Sequence, residues 1–244
     1  MSAFEGITNA AGERLDHAFH PGDGANRELV VIGHGVTANK DRAFLVALAE
    51  MVAASGRSAL RFSFSGNGDS QGRFEDSTIT KEVADLGSVL DAASDWRVTY
   101  AGHSMGGAVG VLRASTDERI ERLVSLAGMV HTAEFARRKF GDQTPGDSFM
   151  WDKPECPLTQ DFMDDMHRIG SVLEKGREVR VPWLLVHGDA DTVVPLTDTT
   201  EIASVADAAR TEVVELPGAD HLFDGAATEA MTRAVLDWLD RTPL

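Results

Sequence analysis

The chain has 244 residues, 43% of them hydrophobic and 25% charged, which suits one α/β domain, or one domain with an insertion. Its formal net charge of −16 repels phosphate backbones and anionic lipid, so nucleic acid and acidic membranes are poor candidates for partners. The single cysteine, Cys156, excludes an intrachain disulfide. No apolar run reaches the length of a membrane span, and Met1–Leu15 lacks the basic and apolar regions of a signal peptide; the expectation is a soluble, cytoplasmic protein.

Residues 13–20 alternate apolar and polar, as an edge strand does, and Pro21–Asn26 form a turn cluster. Leu29-Val30-Val31-Ile32-Gly33 is a continuous apolar run, the mark of a strand buried on both faces of a parallel sheet. It runs into His34-Gly35-Val36-Thr37. Phe44, Leu48, Met51 and Val52 then recur at helical spacing until Gly56. A strand follows over Ala59–Phe64, then a loop over Ser65–Gly72, and Ile79, Val83, Leu86 and Leu90 mark an amphipathic helix. The β-branched and aromatic run from Arg97 climbs to Gly102-His103-Ser104-Met105-Gly106, and a small-residue helix leads away over Gly107–Ser115. Ile120–Ala127 and Val181–Val186 read as strands, Pro195 suits the first turn of a helix, Thr211–Leu216 is the last strand, and Met231, Val235, Trp238 and Leu239 mark the closing helix.

Strand and helix alternate almost throughout, which predicts an α/β fold with a mostly parallel central sheet flanked by helices. The exception is the charged stretch from Val130 to Arg180. A structureless loop of that size would be unusual in a compact domain, so a small helical insertion, a lid or cap, is expected there. The reading is a single domain: a first core part over 1–129, the insertion over 130–180, and a second core part over 181–244. In the insertion Phe149, Met150 and Trp151 either line a pocket or form the insertion's own small core, and Cys156 reads as a packed thiol.

A G-x-S-x-G turn between a strand and a helix strains the serine backbone and exposes its hydroxyl above the sheet edge, which makes Ser104 the candidate nucleophile. A serine needs a base, and the base needs a carboxylate to orient it. In an open α/β sheet such groups gather beyond the carboxyl ends of the strands. Asp189 and Asp191 both qualify as the acid, and His221 in Gly218-Ala219-Asp220-His221 qualifies as the base. His34 and His187 end strands but precede glycines and suit structural hydrogen bonds. His103, the neighbour of Ser104, is expected to point away from the site. Two backbone N–H groups, from Met105 and Val36, suit an oxyanion hole.

Together the segments His34–Lys40, Phe64–Ser70 with Gly72–Asp76, Gly102–Gly107, His187–Pro195 and Gly218–His221 resemble those of the α/β-hydrolase fold. Within it they are most similar to the cinnamoyl (feruloyl) esterase and serine aminopeptidase-like carboxylesterase branch. That resemblance implies Asp191, and not Asp189, as the acid, His221 as the base, and Val36 and Met105 as oxyanion donors. The chain departs from the branch at Asn67, where histidine is frequent, and in a shorter insertion with its own sequence.

The activity this implies is a serine carboxylesterase acting through an acyl-enzyme on small esters, aromatic-acyl (cinnamoyl- or feruloyl-like) esters among them, with no cofactor and no metal. The rivals on the same fold are a monoacylglycerol lipase, a thioesterase and an aminopeptidase. From another class, a ligand receptor on a hydrolase scaffold would carry the same residues. The expected partner is a small-molecule ester, and the chain acts as monomer or homodimer.

Overall fold

A computed structural model describes residues 4–24 and 27–244; the last two residues of the Pro21–Asn26 turn cluster lie outside the described residues. Seven strands form one sheet: β1 (His17–His20), β2 (Glu28–Gly33), β3 (Ser58–Phe62), β4 (Arg97–His103), β5 (Ile120–Leu126), β6 (Trp183–Gly188) and β7 (Thr211–Leu216). Their order is β1-β3-β2-β4-β5-β6-β7. Only β1 runs antiparallel, with His17 opposite Phe62. The other pairs are parallel, and Val31 beside Tyr100, Ala101 beside Val124 and Val124 beside Leu184 fix the register across the middle.

The apolar strands need cover on both faces, and the side-chain period of two divides them between two cores. Leu29 and Val31 of β2, Leu60 and Phe62 of β3, and Tyr100 of β4 face one core. It is covered by α2 (Ile79–Ala92) and α3 (Met105–Ala114). Val30, Ile32, Ala59, Ala101 and Val124 face the other, covered by α1 (Ala43–Ala54) and α8 (Ala226–Arg241).

Several element ends differ from the sequence pattern, each for a local reason. The edge strand is confined to His17–His20 because Asn9 folds the preceding chain into a turn, its side chain accepting from the N–H groups of Ala11 and Glu13. Strand β3 stops at Phe62 because Ser63 donates its N–H to Asp16 and Phe64 donates to the His34 ring. Strand β5 ends one residue early, since Ala127 takes a φ of 46°. Strand β6 begins at Trp183, after Pro182, which has no N–H to give the ladder. Pro195 caps α7 (Leu196–Val205) from outside, with an extended ψ of 146°.

Between β5 and β6 the chain forms α4 (Thr132–Phe140), a short 3-10 turn over Met150–Asp152, α5 (Gln160–Ile169) and the single turn α6 (Leu173–Gly176). The Thr159 hydroxyl accepts the Phe162 N–H and caps α5. Phe162, Met163 and Met166 of α5 join Phe135 and Phe140 of α4 in the first core. Asp165 of α5 accepts from both the N–H and the hydroxyl of Thr80 at 3.0 and 2.6 Å, tying the segment to the start of α2. Among the described residues no helix is long and apolar enough to cross a membrane.

Candidate active site

Ser104 stands between β4 and α3, at the middle of the sheet, with φ 54° and ψ −117°. An L-residue held there costs on the order of 1–3 kcal/mol, which its surroundings must supply. They do so through hydrogen bonds: the Ser104 N–H donates to Leu126, and its carbonyl accepts from Gly107 and Met129. The turn closes only because its neighbours lack side chains. A Cβ on Gly102 would lie 2.1 Å from the Gly106 carbonyl oxygen, one on Gly106 would lie 2.5 Å from that of His34, and one on Gly107 would meet the Gly128 backbone at 2.7 Å.

His221 enters from the loop after β7. Its Nε2 lies 3.1 Å from Ser104 Oγ and its Nδ1 lies 2.7 Å from Asp191 Oδ2. Asp191 follows β6, and its side chain is fully buried. Burial alone would push its carboxyl up. Hydrogen bonds from His187 and His221, the electrostatic attraction of the His221 ring and the N–H of Val193 outweigh burial and hold it well below the usual carboxylate range. The Val193 and Val194 N–H groups both donate to Oδ1, at 2.7 and 3.0 Å. An ionised Asp191 needs a proton on His221 Nδ1, which leaves the Nε2 lone pair facing the serine hydroxyl. Asp189, the other carboxylate of this turn, instead accepts the Gly218 N–H at 2.6 Å and ties the β6 loop to the β7 loop.

The loop after β2 passes directly beside Ser104. A Cβ on Gly35 would fall 2.8 Å from Ser104 Cβ and 3.3 Å from its Oγ. His34 holds this loop: its Nδ1 donates to the Gly35 carbonyl at 2.8 Å and its Nε2 accepts the Phe64 N–H at 3.0 Å. The Gly35 carbonyl and the Val36 N–H belong to one trans peptide, so the bond that His34 makes fixes the direction of the Val36 N–H. Among the described residues the N–H groups of Val36 and Met105 donate to no protein acceptor. The cavity above Ser104 has a volume of about 330 Å³, and Val36, Arg42, Trp151, Lys153 and His221 are among its walls.

Three comparisons bear on this arrangement. A family model described as serine aminopeptidase, S33, matches residues 24–141. Among solved structures, Est1E from Butyrivibrio proteoclasticus with ferulic acid bound is 25% identical, with a TM-score of 0.84 over 98% of each chain. The chain belongs to the α/β-hydrolase superfamily. Mouse alpha/beta hydrolase domain-containing protein 10 shares the fold of this α/β-hydrolase, with a TM-score of 0.83 at 19% identity over 98% of this chain and 99% of that one. Mitochondrial palmitoyl-protein thioesterase ABHD10 of Homo sapiens is 25% identical over 211 residues, covering 80% of this chain and 68% of that protein.

Two histidines of this α/β-hydrolase have surroundings that the sequence pattern misses. His103 was expected to point away from the site, and instead it lines the cavity. It shares its sheet face with Ala101, and at the strand end that face lies beneath the loop carrying His221. Its Nε2 donates to the His221 carbonyl at 2.9 Å, and the two rings stand 4.7 Å apart. Burial, then the neighbouring His221, push His103 well below the ordinary histidine range. His187 makes structural hydrogen bonds, with Nδ1 at 2.7 Å from the Thr199 hydroxyl and Nε2 at 3.1 Å from the Val194 carbonyl. It also braces Asp191, 3.2 Å from Nε2 to Oδ2. The four-residue spacing of His187 and Asp191 across a Gly-containing turn was the available signal.

Phe149 and the two apolar residues of the 3-10 turn that follows it divide. Met150 is buried in the first core, Phe149 is exposed, and Trp151 lines the cavity with its ring edge-on to Phe140 at 5.0 Å. Trp151 has φ 50°, a conformation that glycine or asparagine would signal and tryptophan does not.

Proposed function

We propose that this α/β-hydrolase cleaves carboxylic esters by nucleophilic catalysis at Ser104. The observation that carries the reading is the continuous hydrogen-bonded line from Ser104 Oγ through His221 to an ionised Asp191. As Oγ attacks the ester carbonyl, His221 Nε2 takes its proton and then returns it to the departing alkoxide. Asp191 holds the imidazole in the required tautomer and offsets the charge it gains. The N–H groups of Val36 and Met105 receive the oxyanion, each worth about 3–4 kcal/mol of transition-state stabilisation. Water, deprotonated by the same histidine, then attacks the acyl-enzyme and releases the acid.

The cavity of about 330 Å³ lies at the small end of ligand pockets, which favours a compact acyl group. The ferulic acid bound to Est1E and the aromatic wall supplied by Trp151 support aromatic acyl esters among the substrates. A thioester is the second reading, supported by the similarity to palmitoyl-protein thioesterase ABHD10. A panel of matched p-nitrophenyl, thiophenyl and anilide substrates separates ester, thioester and amide cleavage. In the same assay Ser104→Ala should lower kcat for a short p-nitrophenyl ester by about 10⁴-fold or more. Turnover near that of the wild type in the variant would overturn the proposal.

A further inference from the structure

There are 39 Asp and Glu residues, yet among the described residues none lines the cavity above Ser104. Arg42 and Lys153 do line it. Most other Lys and Arg side chains sit against a carboxylate, from Arg57 on Glu28 to Arg241 on Glu212. Arg42 and Lys153 have no such partner among the described residues. They come from separate elements: Arg42 is the residue before α1, just beyond the Val36 loop, and Lys153 follows the 3-10 turn that carries Trp151.

The rim adds two more cations that lack a carboxylate. Arg138 and Lys139 of α4 donate to the carbonyls of Val193 and Thr192, each at 2.9 Å. Their hydrogen bonds are committed to the loop that holds Asp191, so they hold the rim and add to its field. Arg42 is different, because among the described residues no hydrogen bond holds its guanidinium, and its charge bears on His103 in the cavity wall and on the buried His34. A guanidinium left without a partner beside an apolar cavity is poised for a planar anionic group, which it can hold with two parallel hydrogen bonds. The Lys153 ammonium, lining the same cavity, adds a second point charge.

We propose that the cavity takes esters that carry a carboxylate away from the scissile bond, bound by Arg42 and Lys153. This rests on the hydrolase reading above and narrows its substrate class to acidic esters or thioesters. Two matched pairs test it. One places the charge on the acyl side: p-nitrophenyl hydrogen adipate against methyl p-nitrophenyl adipate. The other places it on the leaving group: 4-acetoxybenzoate against methyl 4-acetoxybenzoate.

Binding is measured by calorimetry on Ser104→Ala, so that the result does not depend on turnover. The anionic member of at least one pair should bind about 10-fold tighter or more at low salt, and added salt should shrink that advantage. Arg42→Gln and Lys153→Gln, introduced singly and together into Ser104→Ala, should each reduce the advantage, and the pair should bring it below about threefold. Reading the single variants separately keeps the test valid if the double variant does not fold. Equal binding of both members in both pairs overturns the proposal, and so does an advantage that survives in the variants. Ser104-dependent turnover of neutral esters without a charge preference leaves the hydrolase reading standing and removes this one. A binding preference without turnover does the reverse.

Discussion

At Gly35 the oxyanion loop comes too close to the nucleophile to carry a side chain. The missing side chain is what lets the oxyanion loop lie against Ser104, since a Cβ would meet Ser104 Cβ at 2.8 Å. Gly35→Ala should therefore lower kcat by about 10²-fold or more with a smaller change in KM, because it displaces a donor used in the transition state; an unchanged kcat would show that the loop has slack. His34 controls the same peptide and links the site to acid stability. Burial, against the bond to Gly35, pushes its pKa down to about 4. The unfolded chain has the ordinary value of about 6.5, so between these two values the unfolded state binds more protons and stability falls as pH falls. By linkage the loss is about 3 kcal/mol, nearly complete by pH 4. Urea unfolding across this window should show that slope in the wild type and a shallower one in His34→Gln. Identical slopes would assign the acid sensitivity elsewhere. At this scale the sequence was legible for Ser104 and for the order of the candidate residues. Strand-end position alone left Asp189 and Asp191 open and only the family resemblance pointed to Asp191; the choice depends on which carboxylate turns toward His221 and which accepts the Gly218 N–H.

Among the elements, β5 carries an unusual charge. Arg122 is fully buried, donates to Thr99 on β4 and to the carbonyls of Leu239 and Thr242 at the end of α8, and pairs with Glu28 of β2 at 2.9 Å. One guanidinium thus joins three strands to the closing helix. Removing it takes away one of the two arginines on Glu28 and the donor to the Leu239 and Thr242 carbonyls, so Arg122→Ala should cost about 3 kcal/mol in denaturant unfolding. A loss below about 1 kcal/mol would show that water replaces it. Nothing in the strand pattern announces this, because a charged residue in a strand reads as an outward-facing one. The same blindness moved the ends of elements. The continuous run Ala59–Phe64 gives no sign that Phe64 leaves the ladder to satisfy His34, and helix spacing alone does not show that α3 starts two residues earlier than Gly107, directly after the strained serine.

For the molecule as a whole, the alternation of apolar strands and amphipathic helices was enough to predict the layered fold, because a strand buried on both faces has few places to go. The shape of the region over 130–180 was not readable in the same way. Its helices are held by contacts distant in sequence, such as Asp165 on Thr80, and its one cavity-lining aromatic, Trp151, depends on a left-handed backbone. The lack of carboxylates among the described residues of the cavity wall likewise exists only after folding. What the fold accomplishes is to bring three loops, after β4, β6 and β7, within hydrogen-bonding distance at one edge of the sheet. The most direct test is to react the folded protein with a fluorophosphonate and map the adduct by mass spectrometry. The account predicts one adduct per chain, on Ser104, forming about 10³-fold more slowly in His221→Ala. An unmodified Ser104 in folded wild-type protein, or labelling at the same rate without the histidine, would contradict it.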